Sequence, residues 1–153
     1  MKIMFICTGN ICRSAMAHVM LEKRAKEENK DIEVYSCGVY AENGDKSTEE
    51  AIAVMNESYD VDLKKHRATN IANSKIEEMD VILCATTSHK NNVLNRYPNL
   101  EEKVFTMKEY VGYPQNDMDI NDPWGCSYET YKKCAKEIAE CIDKIVFNTK
   151  SVH

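Results

Sequence analysis

The sequence predicts a three-layer α/β sandwich, a central four-stranded parallel sheet flanked by helices, formed by a single domain spanning residues 1–153. Short apolar runs alternate with amphipathic stretches along the whole chain, the order that lays parallel strands between covering helices. The chain is 43% hydrophobic and 29% charged, a globular balance with enough apolar material for one core. No internal repeat and no second domain is visible.

Ile3, Met4, Phe5 and Ile6 form a short apolar run suited to a buried parallel strand. A polar loop follows, and helical periodicity begins after Arg13, with Ala17, Met20, Leu21 and Ala25 on one face and Glu22, Lys23, Lys26 and Glu27 on the other. Ile32, Val34 and Ser36 read as one face of a second strand, stopped by Gly38. Ser47 and Glu50 have capping-box spacing ahead of Ala51, Ile52 and Met55, and Ser74 with Glu77 repeats it before a short helix. Val81, Ile82, Leu83 and Cys84 form the most evident central strand. A helix from His89 to Arg96 stops near Tyr97 because Pro98 follows. Val104 and Phe105 mark the fourth strand. Residues 112–125 are rich in Gly, Pro, Asn and Asp and read as a loop. The last helix runs from Ser127 to Phe147, with Tyr131, Cys134, Ala135, Ile138, Ile142 and Ile145 on one side.

With 20 basic against 25 acidic residues the net charge is -5, which argues against non-specific nucleic-acid binding. No apolar run approaches the roughly 18 residues needed to span a bilayer. The seven cysteines contain no CxxC pair and no Cys/His cluster at zinc spacing, so neither a metal nor a cofactor is expected. A short non-secretory start and this cysteine usage predict a cytoplasmic protein without a membrane partner. Its oligomeric state is not encoded in these patterns.

The chemistry-bearing segment is Cys7, Thr8, Gly9, Asn10, Ile11, Cys12, Arg13 and Ser14, between an apolar strand and an amphipathic helix. Wrapped into a cradle, its amides converge on a tetrahedral anion at the positive end of the helix. Gly9 permits close backbone approach or a positive φ, and Asn10 tolerates unusual dihedrals. The same field favours a thiolate at Cys7. Arg13 is suited to grip two phosphoryl oxygens at once. Asp117, Asp119 and Asp122 share the later loop, and residue type alone does not choose a proton donor among them.

The loop from Cys7 to Ser14, the Ser36 to Gly38 turn and the Asp122-Pro123 pair resemble the low-molecular-weight protein phosphatase family over nearly the whole chain. The resemblance implies a metal-free cysteinyl-phosphate mechanism acting on a phosphorylated protein or peptide and releasing inorganic phosphate. It makes Cys7 the nucleophile, Arg13 the phosphate clamp, Ser14 a hydrogen-bond partner of the thiolate and Asp122 the general acid. Asn10 stabilises the loop, assisted by Ser36 and His66. Cys12 becomes a redox partner for Cys7, through a reversible disulfide that protects the nucleophile. His18 is expected on an exposed helical surface.

The tyrosine-directed branch of that family lines a deep slot with aromatics, for which Tyr40 and Trp124 are the candidates here, and it carries isoleucine at the position of Ile11. The segments 36–46, 103–111 and 122–125 look more like the bacterial protein-arginine phosphatase branch, which usually has threonine at position 11. Phosphotyrosine is the primary expectation and phosphoarginine the alternative. A thiol-dependent arsenate reductase needs resolving cysteines, for which Cys84 is the single candidate. A silent phosphopeptide-binding module would not need Cys7, Arg13 and Asp122 together.

Overall fold

The computed structural model describes residues 1–151. Four strands, β1 (Lys2–Cys7), β2 (Glu33–Gly38), β3 (Val81–Cys84) and β4 (Val104–Thr106), form one sheet in the order β2-β1-β3-β4, with every neighbouring pair parallel. The helices are α1 (Arg13–Glu27), α2 (Glu49–Tyr59), α3 (Thr87–Arg96), α4 (Met107–Tyr110) and α5 (Tyr128–Asn148). The expected α/β sandwich is therefore present.

Alternation along β1 divides the core. Ile3 and Phe5 pack with Ala17, Leu21, Val54, Ile138 and Ile142 beneath α1, α2 and α5. Met4 and Ile6 face the opposite layer with Ile71, Ile82 and Val93. No helix among the described residues is long and apolar enough to cross a membrane.

From β1 the chain crosses to β2 on one side and later returns to β3 on the other, so its order reverses at the carboxyl end of β1. Crevices at such switch points are where open parallel sheets bind ligands, and residues 8–12 lie there.

Two helix starts differ from the sequence expectation. Thr48, not Ser47, caps α2 by accepting from the Ala51 amide at 3.4 Å, and Ser47 is buried with its hydroxyl unpartnered. Ser74 instead donates to the Ile71 carbonyl, and Ile76–Glu78 is a single 3₁₀ turn without a side-chain cap. A true capping box occurs where none was foreseen, between Thr106 and Glu109 at α4.

Candidate active site

The segment between β1 and α1 is held from outside through its carbonyl groups. Those of Cys7, Thr8 and Ile11 accept from the amides of Val39, Tyr40 and Thr48, and that of Asn10 accepts from His66 Nε2 at 2.9 Å. The amides of Thr8, Gly9, Ile11 and Cys12 find no protein acceptor among the described residues. They remain for a ligand. Cys12 at the N-cap of α1 makes no side-chain cap bond and the first turn carries no acidic residue, whereas α2, α3 and α5 are capped by Thr48, Thr86 and Ser127. An uncapped start keeps the positive end of α1 open to an anion.

Asn10 is the conformational key. It is fully buried at φ 57, where an Asn is tolerated better than most residues. Its amide nitrogen Nδ2 donates to Ser14 Oγ at 2.8 Å, and its Oδ1 accepts from the Thr69 amide at 3.0 Å. Gly9 does not serve as expected: it has no positive φ, and a Cβ there would meet only the Ile11 side chain at 3.6 Å. The indispensable glycine is Gly38 at the end of β2. A Cβ on it would lie 2.5 Å from the Thr8 carbonyl oxygen and 2.9 Å from the Asn10 amide.

Cys7 Sγ lies 2.9 Å from Ser14 Oγ and 3.3 Å from the Asn10 amide. Ser14 already accepts from Asn10, so its own proton is directed at the sulfur. Arg13 is 4% exposed. Its Nη1 donates to the Ile120 carbonyl at 2.8 Å, its Nη2 lies 3.7 Å from Asp122 Oδ2, and its Nε has no partner among the described residues. A pocket of about 260 Å³ is lined by Cys7, Arg13, Asp122, Ile11 and Trp124 among others. A larger groove of about 430 Å³ between α1, α2 and α5 has no cysteine in its lining.

The structure separates the three loop aspartates. Asp117 pairs with Lys108 at 2.7 Å, Asp119 accepts from the Thr87 amide at 2.8 Å, and Asp122 alone lines the pocket. Asp122 Oδ1 accepts from the Trp124 amide at 3.1 Å, which fixes the carboxylate. Trp124 stands 65% exposed at the mouth. Tyr40 does not line this pocket; its hydroxyl accepts from Asn92 at 3.2 Å and its ring lies beneath Arg96.

Ser36 and His18 stand elsewhere than the sequence suggests. Ser36 does not touch Asn10 but bonds His18 Nδ1 at 2.7 Å. His18 is half-buried rather than on an open helical face, and it meets His66 edge-on, so Ser36 reaches the loop only through two rings. Burial lowers the proton affinity of His66, which donates from Nε2 to the Asn10 carbonyl. The Cys12 thiol is buried against Tyr131 at 3.3 Å, and burial raises its pKa. Cys84 is fully buried in β3, with its pKa raised by burial, and offers no path for a disulfide relay. All seven cysteines are free.

Sequence reasoning missed His89. Its Nε2 lies 2.8 Å from Thr8 Oγ1 and its Nδ1 lies 2.8 Å from Thr86 Oγ1. The Thr86 cap was not foreseen, and nothing local revealed a contact with Thr8 across 81 positions.

Comparison with known proteins agrees with this site. The chain is 33% identical over 155 residues to a protein-arginine-phosphatase of Bacillus subtilis, covering 98% of this chain and 97% of that one. It is also 33% identical over 147 residues to the low molecular weight protein-tyrosine-phosphatase PtpB of Staphylococcus epidermidis, covering 96% and 98%. The crystal structure of a low molecular weight protein tyrosine phosphatase from T. tengcongensis superposes with a TM-score of 0.91 at 37% identity, covering 96% of this chain and 98% of that chain. The family model for low molecular weight phosphotyrosine protein phosphatase matches residues 2–152. The chain therefore belongs to the low molecular weight phosphotyrosine protein phosphatase family, whose members are cysteine-dependent phosphatases.

Proposed function

We propose that the protein is a cytoplasmic protein-tyrosine phosphatase, acting as one domain over residues 1–153 through a phosphocysteine at Cys7. The observation that carries this reading is Arg13: a guanidinium this deeply buried keeps Nε unpartnered beside the nucleophile. A buried charged donor without an acceptor is costly, and a phosphoryl oxygen supplies the missing partner.

Attack of Cys7 Sγ in line on phosphorus breaks the bond to the tyrosine oxygen, which takes its proton from Asp122. Arg13 and the open amides of the loop hold the equatorial oxygens, so the transferring charge meets fixed donors. Asp122, now a carboxylate, draws a proton from water. That water attacks phosphorus, inorganic phosphate leaves, and the sulfur departs as a thiolate received by Ser14 and the Asn10 amide.

Cys12 lines the same pocket and is the partner for oxidised Cys7. Peroxide converts the Cys7 thiolate to sulfenic acid, and attack by Cys12 expels water to close a disulfide.

Ile11 and Trp124 give the pocket apolar walls, which favour the ring of phosphotyrosine. Phosphoarginine is a second reading, supported by the likeness to the Bacillus subtilis enzyme. Against it, the polar side chains available to a guanidinium in the pocket are those of Thr8 and Asp122, and Ile11 adds no hydrogen bond. Initial rates on matched phosphotyrosine and phosphoarginine peptides, with Cys7→Ser as blank, decide between them. Faster turnover of phosphotyrosine is expected; the reverse preference would replace the substrate assignment.

A further inference from the structure

Thr8 is exposed in the phosphate-loop pocket, and its hydroxyl is held from behind by His89, the third residue of α3, which is 6% exposed. Counting donors fixes the protons of this cluster. Thr86 Oγ1 already accepts from the His89 amide at 3.1 Å, and the acceptor available to its own proton is His89 Nδ1 at 2.8 Å. A neutral imidazole that accepts at Nδ1 carries its hydrogen on Nε2. Nε2–H then donates to Thr8 Oγ1 at 2.8 Å, leaving the Thr8 proton free to turn into the pocket. Burial, aided by the nearby Arg13 charge, holds His89 at about 4, so the ring keeps a single proton under ordinary conditions.

We propose that Thr8 is a hydrogen-bond donor to the phosphoryl group, and that His89 is a positioning residue which, through Thr86, fixes Thr8 in that role. This rests on the phosphatase reading of the pocket. Thr8 adds a side-chain donor to the backbone amides, on the side of the pocket nearest α3. It also explains why a histidine is buried beside an arginine: the ring is used as a neutral relay, and Arg13 discourages its protonation. The relay has one fixed direction because each member accepts one bond from behind and donates one ahead.

The test has two parts. Long-range proton–nitrogen NMR of the wild-type enzyme reads the His89 tautomer directly, and protonated Nε2 is expected; protonated Nδ1 would overturn the relay. Kinetics then read its consequence. Thr8→Val is expected to lower kcat/KM about tenfold and to weaken competitive inhibition by inorganic phosphate similarly, as loss of a bond to a charged group requires. Thr8→Ser should restore both. His89→Leu should reproduce the Thr8→Val loss, and the double variant should be no worse than the poorer single one. Thr8→Val kinetics within about twofold of wild type, with phosphate still inhibiting, would overturn the Thr8 role alone. If inorganic phosphate fails to inhibit the wild-type enzyme and Cys7→Ser retains activity, the phosphatase reading falls with it.

Discussion

Asn10 carries more constraint than any other residue of the loop, since its positive φ, side-chain amide and carbonyl are all engaged. Asn10→Ala removes the bond that Ser14 Oγ accepts, leaving it only Cys7, takes the side-chain acceptor from the Thr69 amide, and puts a Cβ residue without compensating bonds at φ 57. A loss of about 2 kcal/mol in urea unfolding is expected, with a larger fall in kcat/KM than in stability. Equal losses in both would mean that Asn10 only stabilises the fold. His89 sets a pH dependence. Its folded value of about 4 lies below the ordinary 6.5, so the unfolded chain binds the proton first. Stability is therefore constant above pH 6.5, declines as the pH falls toward about 4, and then levels off for this group. His66 acts in the same direction, whereas Glu22, depressed by its bond to His18, loses its contribution below 4.5. His89→Gln should flatten the decline above pH 4.5 in thermal unfolding; an unchanged slope would assign it to other groups.

Among the elements, the end of β2 and the loop before α5 decide whether the site is assembled. Gly38→Ala forces a Cβ against the Thr8 carbonyl and the Asn10 amide, both backbone atoms that cannot swing aside. It is expected to cost about 1–3 kcal/mol and to weaken phosphate inhibition. Gly9→Ala, which meets only a flexible side chain, should be far milder; the opposite ranking would contradict this picture of the cradle. The loop that carries Asp122 is anchored by Lys108, 6% exposed, which reaches Asp117 at 2.7 Å and Glu137 of α5 at 2.9 Å. Both carboxylates raise the Lys108 pKa against the lowering effect of burial. Lys108→Met should reduce kcat while phosphate inhibition persists, because the loop that presents Asp122 loosens and the cradle does not. Strands with uninterrupted apolar residues and the stripe of α5 were legible in the sequence because their periodicity is local. The caps at Ser47 and Ser74 were misread because spacing alone does not say which neighbouring hydroxyl turns inward.

For the molecule as a whole, parallel topology gathers at one sheet edge the ends of β1, β2 and β3 and the loop before α5, which are far apart in sequence. Cys7 and Arg13 were legible because a strand, a loop and a helix follow one another directly. Asp122 was not distinguishable from Asp117 and Asp119 by residue physics, since what separates them is which one the fold brings into the pocket beside Cys7 and Arg13. Tyr40 was expected at the pocket from the resemblance to the tyrosine-directed branch, but Asn92 and Arg96 on α3 engage it instead. The long-range pairing of Thr8 with His89 leaves no periodic trace at all. The proposed mechanism carries a phosphoryl group on Cys7. The most direct measurement is acid quenching of Asp122→Asn during turnover of an aryl phosphate whose leaving group needs little protonation, followed by peptide mass mapping. Slowed hydrolysis should accumulate one phosphoryl group on the peptide containing Cys7. Turnover that continues with no phosphorylated Cys7 peptide, or with the phosphoryl group on another residue, would contradict a phosphocysteine intermediate at Cys7.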